Sequence, residues 1–152
     1  MTTHYGMIGC GMMGQEHLRN INLLEDTNVA VIYEPDAQMA AAASTLAPNA
    51  VFVDSLDALL DHQPLDCLVI VSPNFCHAEQ LAQIGAKLSV PILVEKPLFT
   101  DPEDLAKIED FRQHYKAPVW VGMEYRYMPP MQQFLDDVET FTGGIKMLTI
   151  TE

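Results

Sequence analysis

Three short stretches of this 152-residue chain combine residue types and spacings that could do chemistry. The first is Gly9-Cys10-Gly11-Met12-Met13-Gly14, a G-x-G-x-x-G set between an apolar run and a helical pattern. In such a motif the first glycine permits a tight turn, the second lets a pyrophosphate approach the backbone, and the third packs helix against strand. N–H groups at the helix start, those of Met12 and Met13 among them, would then hold a diphosphate. Glu34 follows Gly14 by 20 residues, at the end of the next apolar run. An acid there accepts hydrogen bonds from both hydroxyls of an adenosine ribose and repels a 2′-phosphate, so NAD is expected over NADP.

The second stretch is Ser72-Pro73-Asn74-Phe75-Cys76-His77, directly after Leu68-Val69-Ile70-Val71. Loops at the carboxyl ends of parallel strands are where open α/β sheets bind ligands. Ser72 and Asn74 could contact a dinucleotide there. Asn74 could equally serve only as a helix cap, and His77 only as a first-turn residue. The third stretch is Glu95-Lys96-Pro97. A lysine at a strand end could orient a carboxamide, bind a substrate hydroxyl or polarise an oxygen during hydride transfer. A surface ion pair between Glu95 and Lys96 is the plainer reading of these two residues alone.

The elements needed to position these groups follow from the apolar pattern. Strands are predicted at Tyr5 to Ile8, Val29 to Tyr33, Val51 to Val53, Leu68 to Val71, Ile92 to Val94 and Val119 to Val121. Helices are predicted between them: Met13 to Leu24, Pro35 (at a first-turn position) to about Leu46, Leu56 to Asp61, and His77 to Leu88. Thr100-Asp101-Pro102-Glu103 reads as a capping box opening a fifth helix with Leu105, Ile108, Phe111 and Tyr115 as its buried stripe. This alternation over about 122 residues predicts a doubly wound parallel α/β sheet of Rossmann type. Trp120 is expected in its core, as is Cys67, and the methionines mostly as packing.

The pattern changes after Gly122. Pro129-Pro130 opens one more helix to roughly Phe141, stopped by Thr142-Gly143-Gly144. Ile145 to Glu152 alternates like a strand that has no sequence left to pair with it. Bare edges are seldom left uncovered, so residues 123–152 read as a connecting helix and the first strand of an incomplete second domain. That strand is expected to promote self-association.

Composition excludes other classes. Twenty-one Asp and Glu against eight Lys and Arg give a net charge of −13, which lacks the basic face that nucleic acid or an anionic membrane surface requires. No apolar run approaches the ~20 residues of a membrane span, and the N-terminus has no secretory pattern. Three cysteines without C-x-x-C, and five histidines without metal-ligand spacing, predict a reduced, cytoplasmic, metal-free protein.

In order, G-C-G-M-M-G-x-x-H, Y-E-P-D, S-P-N-x-x-H, V-E-K-P-L and V-G-M-E-Y-R-Y-M-P resemble the Gfo/Idh/MocA oxidoreductases, a family that includes inositol dehydrogenases and glucose–fructose oxidoreductase. The resemblance runs along the whole chain, and E-K-P at this distance from the glycine motif is its most specific part. It implies that Gly9, Gly11, Met12, Met13 and Gly14 line the pyrophosphate and that Glu34 meets the ribose. It further implies that Ser72, Asn74, His77 and Glu95 lie along the cofactor, with Lys96 catalytic beside nicotinamide and substrate. Arg126 matches a family position near the active site and joins the cofactor-binding set, although an ordinary salt bridge would also explain it. The implied activity is NAD-dependent oxidation of a secondary hydroxyl of a sugar, cyclitol or similar polyol. Family members are more than twice this long, and their second domain supplies a catalytic histidine, often preceded by an aspartate. No D-x-x-x-H follows Gly122 and no histidine follows His114. The chain therefore reads as the cofactor half, expected to bind NAD but to turn over little alone. The rival readings are a non-catalytic dinucleotide-binding module and, more weakly, a Rossmann enzyme that transfers another group.

Overall fold

The computed structural model describes residues 1–144, which fall into two compact units, Met1–Gly122 and another beginning at Met123. The first unit is a six-stranded parallel sheet: β1 (Thr3–Ile8), β2 (Thr27–Tyr33), β3 (Val51–Val53), β4 (Cys67–Ile70), β5 (Ile92–Val94) and β6 (Val119–Val121), in spatial order β3-β2-β1-β4-β5-β6. The chain runs outward from β1 to β3, returns to the centre at β4, and runs outward again. The switch point therefore lies between β1 and β4, where Ile8 pairs with Ile70.

Five helices complete this unit: α1 (Met12–Ile21), α2 (Ala37–Leu46), α3 (Leu56–Leu60), α4 (His77–Lys87) and α5 (Leu105–His114). On one face, Ile8, Leu68, Ile70, Ile92 and Val94 pack under Leu59, Leu81, Ile84, Ile108 and Phe111 of α3, α4 and α5. On the other, Met7, Val29, Ile32 and Val69 pack under Leu18, Ile21 and Ala43 of α1 and α2. Strands buried on both faces explain the near-continuous apolar runs of β1 and β4. Tyr115, just after α5, stacks on Phe111 with ring centroids 4.6 Å apart, and its hydroxyl donates to Val90 O at 2.5 Å.

Several local expectations are corrected. Pro35 precedes its helix rather than starting it. Asp36 is the cap, its Oδ1 accepting from the N–H groups of Gln38 and Met39 at 2.8 and 2.9 Å, as a carboxylate at this position does best. Likewise Asp101, not Thr100, accepts from Glu103 N at 2.9 Å and opens a 3-10 turn (Pro102–Asp104) leading into α5. Leu105 lies on the exposed side of α5. Cys67 is only half-buried, at the very start of β4. Trp120 is 52% exposed rather than core. It pairs in register with Leu93, which packs with the α1 and α2 side, but β6 is the edge strand and Trp120 is not among the residues of that core.

The second unit contains a 3-10 turn (Glu124–Tyr127) and α6 (Pro129–Thr142). Gly143 and Gly144, with φ of 68° and 101°, end α6 in the left-handed conformation that favours glycine. The strand predicted from Ile145 lies outside the described residues.

Candidate functional site

The glycine motif forms the turn between β1 and α1. Gly9 has φ 91°, and a Cβ there would lie 2.6 Å from Ser72 N, so no side chain fits. A Cβ on Gly14 would lie 2.7 Å from Gly9 O. Gly11 differs: its Cβ would meet nothing within 4 Å. Its bare backbone faces open space, as a backbone meant for close approach by a ligand must. Gly11 caps α1 without a side-chain acceptor, and no acid occupies the first turn. Its N–H groups are therefore presented without a built-in anion. Met12 and Met13 are exposed there rather than packed, which corrects the expectation of gap-filling for both.

Glu34, just past β2, reaches back to the loop. Its Oε2 accepts from Cys10 N at 2.5 Å and its Oε1 from Asp36 N at 2.9 Å. The carboxylate stands beside the glycine turn, held by backbone donors that also fix the turn itself. Burial, followed by the Glu34 carboxylate, pushes the Cys10 thiol up to about 12. Cys10 is fully buried and kept neutral, a packing residue rather than a nucleophile.

Across the switch point, Ser72 follows β4. Its backbone packs against Gly9, and its hydroxyl donates to Gln80 Oε1 at 2.5 Å. Asn74 is exposed in a 3-10 turn (Asn74–Cys76) and caps neither that turn nor α4. Pro73 stands at the cap position, so the capping role considered for Asn74 is not realised. His77 is fully buried. Its Nε2 lies 3.0 Å from Ser72 O and its Nδ1 2.8 Å from Pro97 O. The ring joins the loop after β4 to the loop after β5.

Glu95 directly follows β5. Its Oε1 lies 2.9 Å from His17 Nε2 on α1, with both side chains largely buried. Glu95 thus bonds to the helix of the glycine motif, while its Oε2 accepts from Lys96 N at 3.3 Å. Gly122 leaves room for it, since a Cβ there would lie 3.0 Å from the Glu95 carboxylate. Lys96 is exposed at the strand end, and the Lys96–Pro97 peptide is cis.

These contacts close a ring around the crevice: Gly14 on Gly9, Gly9 on Ser72, Ser72 on His77, His77 on Pro97, and Glu95 on His17, one turn along α1 from Gly14. Gly9, Gly11, Gly14, Glu34, Ser72, His77, Glu95 and Lys96 all belong to it or border it. Arg126 lies exposed in the second unit, its N–H bonded to Met123 O at 3.1 Å. Gln132 donates to its carbonyl oxygen. His17 carries a contact that residue types alone did not single out. The available signal was its spacing of three from Gly14, which places it on the same side of the helix. Among the described residues no three His, Cys, Asp or Glu gather as a metal site, and no helix is long and apolar enough to cross a membrane.

The family model of oxidoreductases with an NAD-binding Rossmann fold, Gfo/Idh/MocA, matches residues 3–123. Inositol 2-dehydrogenase of Corynebacterium glutamicum is 31% identical over 141 residues, which is 91% of this chain and 42% of that enzyme. The rhizopine catabolism protein MocA of Rhizobium meliloti is 29% identical over 134 residues, 88% of this chain and 41% of that protein. In the crystal structure of myo-inositol dehydrogenase from Lactobacillus casei with NAD(H) and myo-inositol, a region superimposes with TM-score 0.85 and 26% identity. It covers 95% of this chain and 43% of that one. This chain thus spans about two fifths of the length of these relatives. With the glycine turn, the acid after β2 and the parallel six-stranded order all in place, it belongs to the Gfo/Idh/MocA oxidoreductase family, as an NAD-binding Rossmann domain.

Proposed function

We propose that this chain is the cofactor-holding part of a dehydrogenase that moves hydride between NAD and a secondary hydroxyl of a sugar, cyclitol or similar polyol, in the cytoplasm. The observation that carries the reading is the ring itself. It sets an open glycine backbone and an acid on one side of the switch point and an exposed lysine on the other. When bound, the nicotinamide ring supplies the hydride acceptor.

The chain's own residues do the rest. Gly9, Gly11 and Gly14, with the N–H groups of Met12 and Met13, bind the pyrophosphate through backbone donors, which suits a chain of net charge −13. Glu34 accepts from the ribose hydroxyls and disfavours a 2′-phosphate by charge, giving NAD preference over NADP. Ser72 and Asn74 border the path of the dinucleotide, and Arg126 is assigned to the same cofactor-binding set. Lys96 places its ammonium by the reacting oxygen, orienting it and stabilising negative charge as it develops. A general base is worth roughly 10²–10⁴-fold. None is assigned among these residues, so the 152-residue chain should bind NAD and turn over polyols little or not at all.

The test is calorimetric titration with NADH and with NADPH, beside Glu34→Ala, followed by a polyol panel read as NADH production. Tighter NADH binding that weakens in the variant supports the reading. Absence of nucleotide binding by folded protein overturns it. The second reading is a dinucleotide-binding module without catalysis, since the residues around the crevice can hold a nucleotide with no base assigned among them. It would prevail if NADH bound while no polyol was oxidised by the chain within any longer protein that carries it.

A further inference from the structure

Lys96 stands between two residues, each tied to a histidine. Glu95, before it, meets His17 Nε2 at 2.9 Å; Pro97, after it, presents its carbonyl oxygen 2.8 Å from His77 Nδ1. The histidines come from opposite sides of the sheet, His17 from α1 and His77 from the first turn of α4. Both are shielded: the His17 side chain is 20% exposed and His77 is fully buried. Gly122 adds a third constraint, because the space a Cβ would take there is filled by the Glu95 carboxylate.

We propose that His17 and His77 are positioning residues for Lys96, gripping the residues on either side of it so that its main chain is fixed while its ammonium stays exposed. The inference rests on the reading that Lys96 serves the nicotinamide end. A lysine has four rotatable side-chain bonds and no rigid fork, so the fold controls its reach mainly through the position of its Cα. The Glu95 carboxylate that His17 holds also accepts from Lys96 N at 3.3 Å, so that tie reaches the lysine's own main chain. The two rings hold the segment through different chemistry. His17 donates to a side-chain carboxylate, a charge-assisted bond. His77 faces two carbonyl oxygens that only accept, so the neutral ring donates to one and the protonated ring to both.

The experiment titrates the 152-residue chain with NADH and with ADP-ribose, which lacks only the nicotinamide end. The ratio of the two affinities isolates that end, and the emission of bound NADH reports its surroundings. Lys96→Ala sets the benchmark loss. His17→Leu and His77→Gln should lower the ratio by about three- to tenfold, the worth of one buried hydrogen bond. ADP-ribose affinity should hold within about twofold, because the glycine turn is untouched. His17→Gln, whose amide can donate to Glu95, and His77→Asn, whose amide can donate to Pro97 O from the place of Nδ1, should restore the ratio and the emission. His77→Gln keeps the Ser72 side alone, so it separates the Pro97 contact from bulk packing. An unchanged ratio in His17→Leu and His77→Gln, with a collapsed one in Lys96→Ala, would overturn the positioning role and leave the lysine assignment standing. An unchanged ratio in Lys96→Ala would overturn that assignment, and the inference with it.

Discussion

The two sides of the switch point are built by different means. Beside β1 and β2, shape is enforced by what is missing: Gly9 and Gly14 have no room for a Cβ, Gly11 leaves its flank open, and Glu34 bonds to nearby backbone. Beside β4 and β5, shape is enforced by side chains that tie one element to another. His17 and Glu95 are 78 positions apart, and His77 and Pro97 are 20 apart. At Gly9 and Gly14 backbone is packed directly on backbone, which has no rotamer with which to yield, whereas a side-chain tie can shift or be partly replaced. The glycine side should therefore fail abruptly when altered, and the histidine side by degrees.

The sharpest break is Gly9→Ala. A methyl 2.6 Å from Ser72 N, at φ 91°, cannot be relieved by a rotamer change. A loss of about 3 kcal/mol or more is expected from overpacking plus backbone strain. It is measured by denaturant unfolding, together with loss of NADH binding. Gly11→Ala sharpens the contrast. Stability should change by no more than about 1 kcal/mol, while NADH affinity falls at least tenfold, because the methyl points into space reserved for a ligand. A stable Gly9→Ala variant would contradict the steric account of this side.

Next in size is Glu34→Ala, which should lower NADH affinity about tenfold or more and narrow the preference over NADPH. Because Cys10 N also loses its acceptor, a stability loss of about 1–2 kcal/mol should accompany it. A clean switch of nucleotide preference without destabilisation would show that the Cys10 bond contributes little. On the histidine side, Gly122→Ala should displace the Glu95 carboxylate and cost about 1 kcal/mol, with NADH affinity more affected than that of ADP-ribose.

The last effect is confined to alkaline pH. Cys10 is raised from its ordinary value of 9.0 to about 12 in the folded chain. Above pH 9 the unfolded chain loses this proton while the folded chain keeps it. The contribution is therefore full below pH 9 and is lost as pH rises through 12. Cys10→Ala should flatten that decline in melting temperature. At pH 8, iodoacetamide should label the partly exposed Cys76 well before the buried Cys10.

How much was legible follows the same division. The six strands were found at nearly their observed positions because each is an apolar run bounded by breakers, and a run buried on both faces looks alike wherever it sits. The start of α2 is read too early at Pro35, because proline suits a first turn as well as the residue before a cap. Thr100 and Asp101 can each accept from the same N–H groups, and only the backbone angles decide which does. Trp120 is expected in the core because strand identity does not reveal that β6 is an edge.

By itself, the sequence determined the strand–helix alternation, the glycine turn and the acid at its side, since these depend on periodicity, absent Cβ atoms and a spacing of 20. The tertiary structure alone decided that Glu95 reaches His17 on α1 as well as Lys96 N, and that His77 is buried between two loops. Asn74 capping nothing was settled there too. Those outcomes depend on which strand ends lie side by side, and adjacency across a sheet of order β3-β2-β1-β4-β5-β6 is a property of the assembled chain.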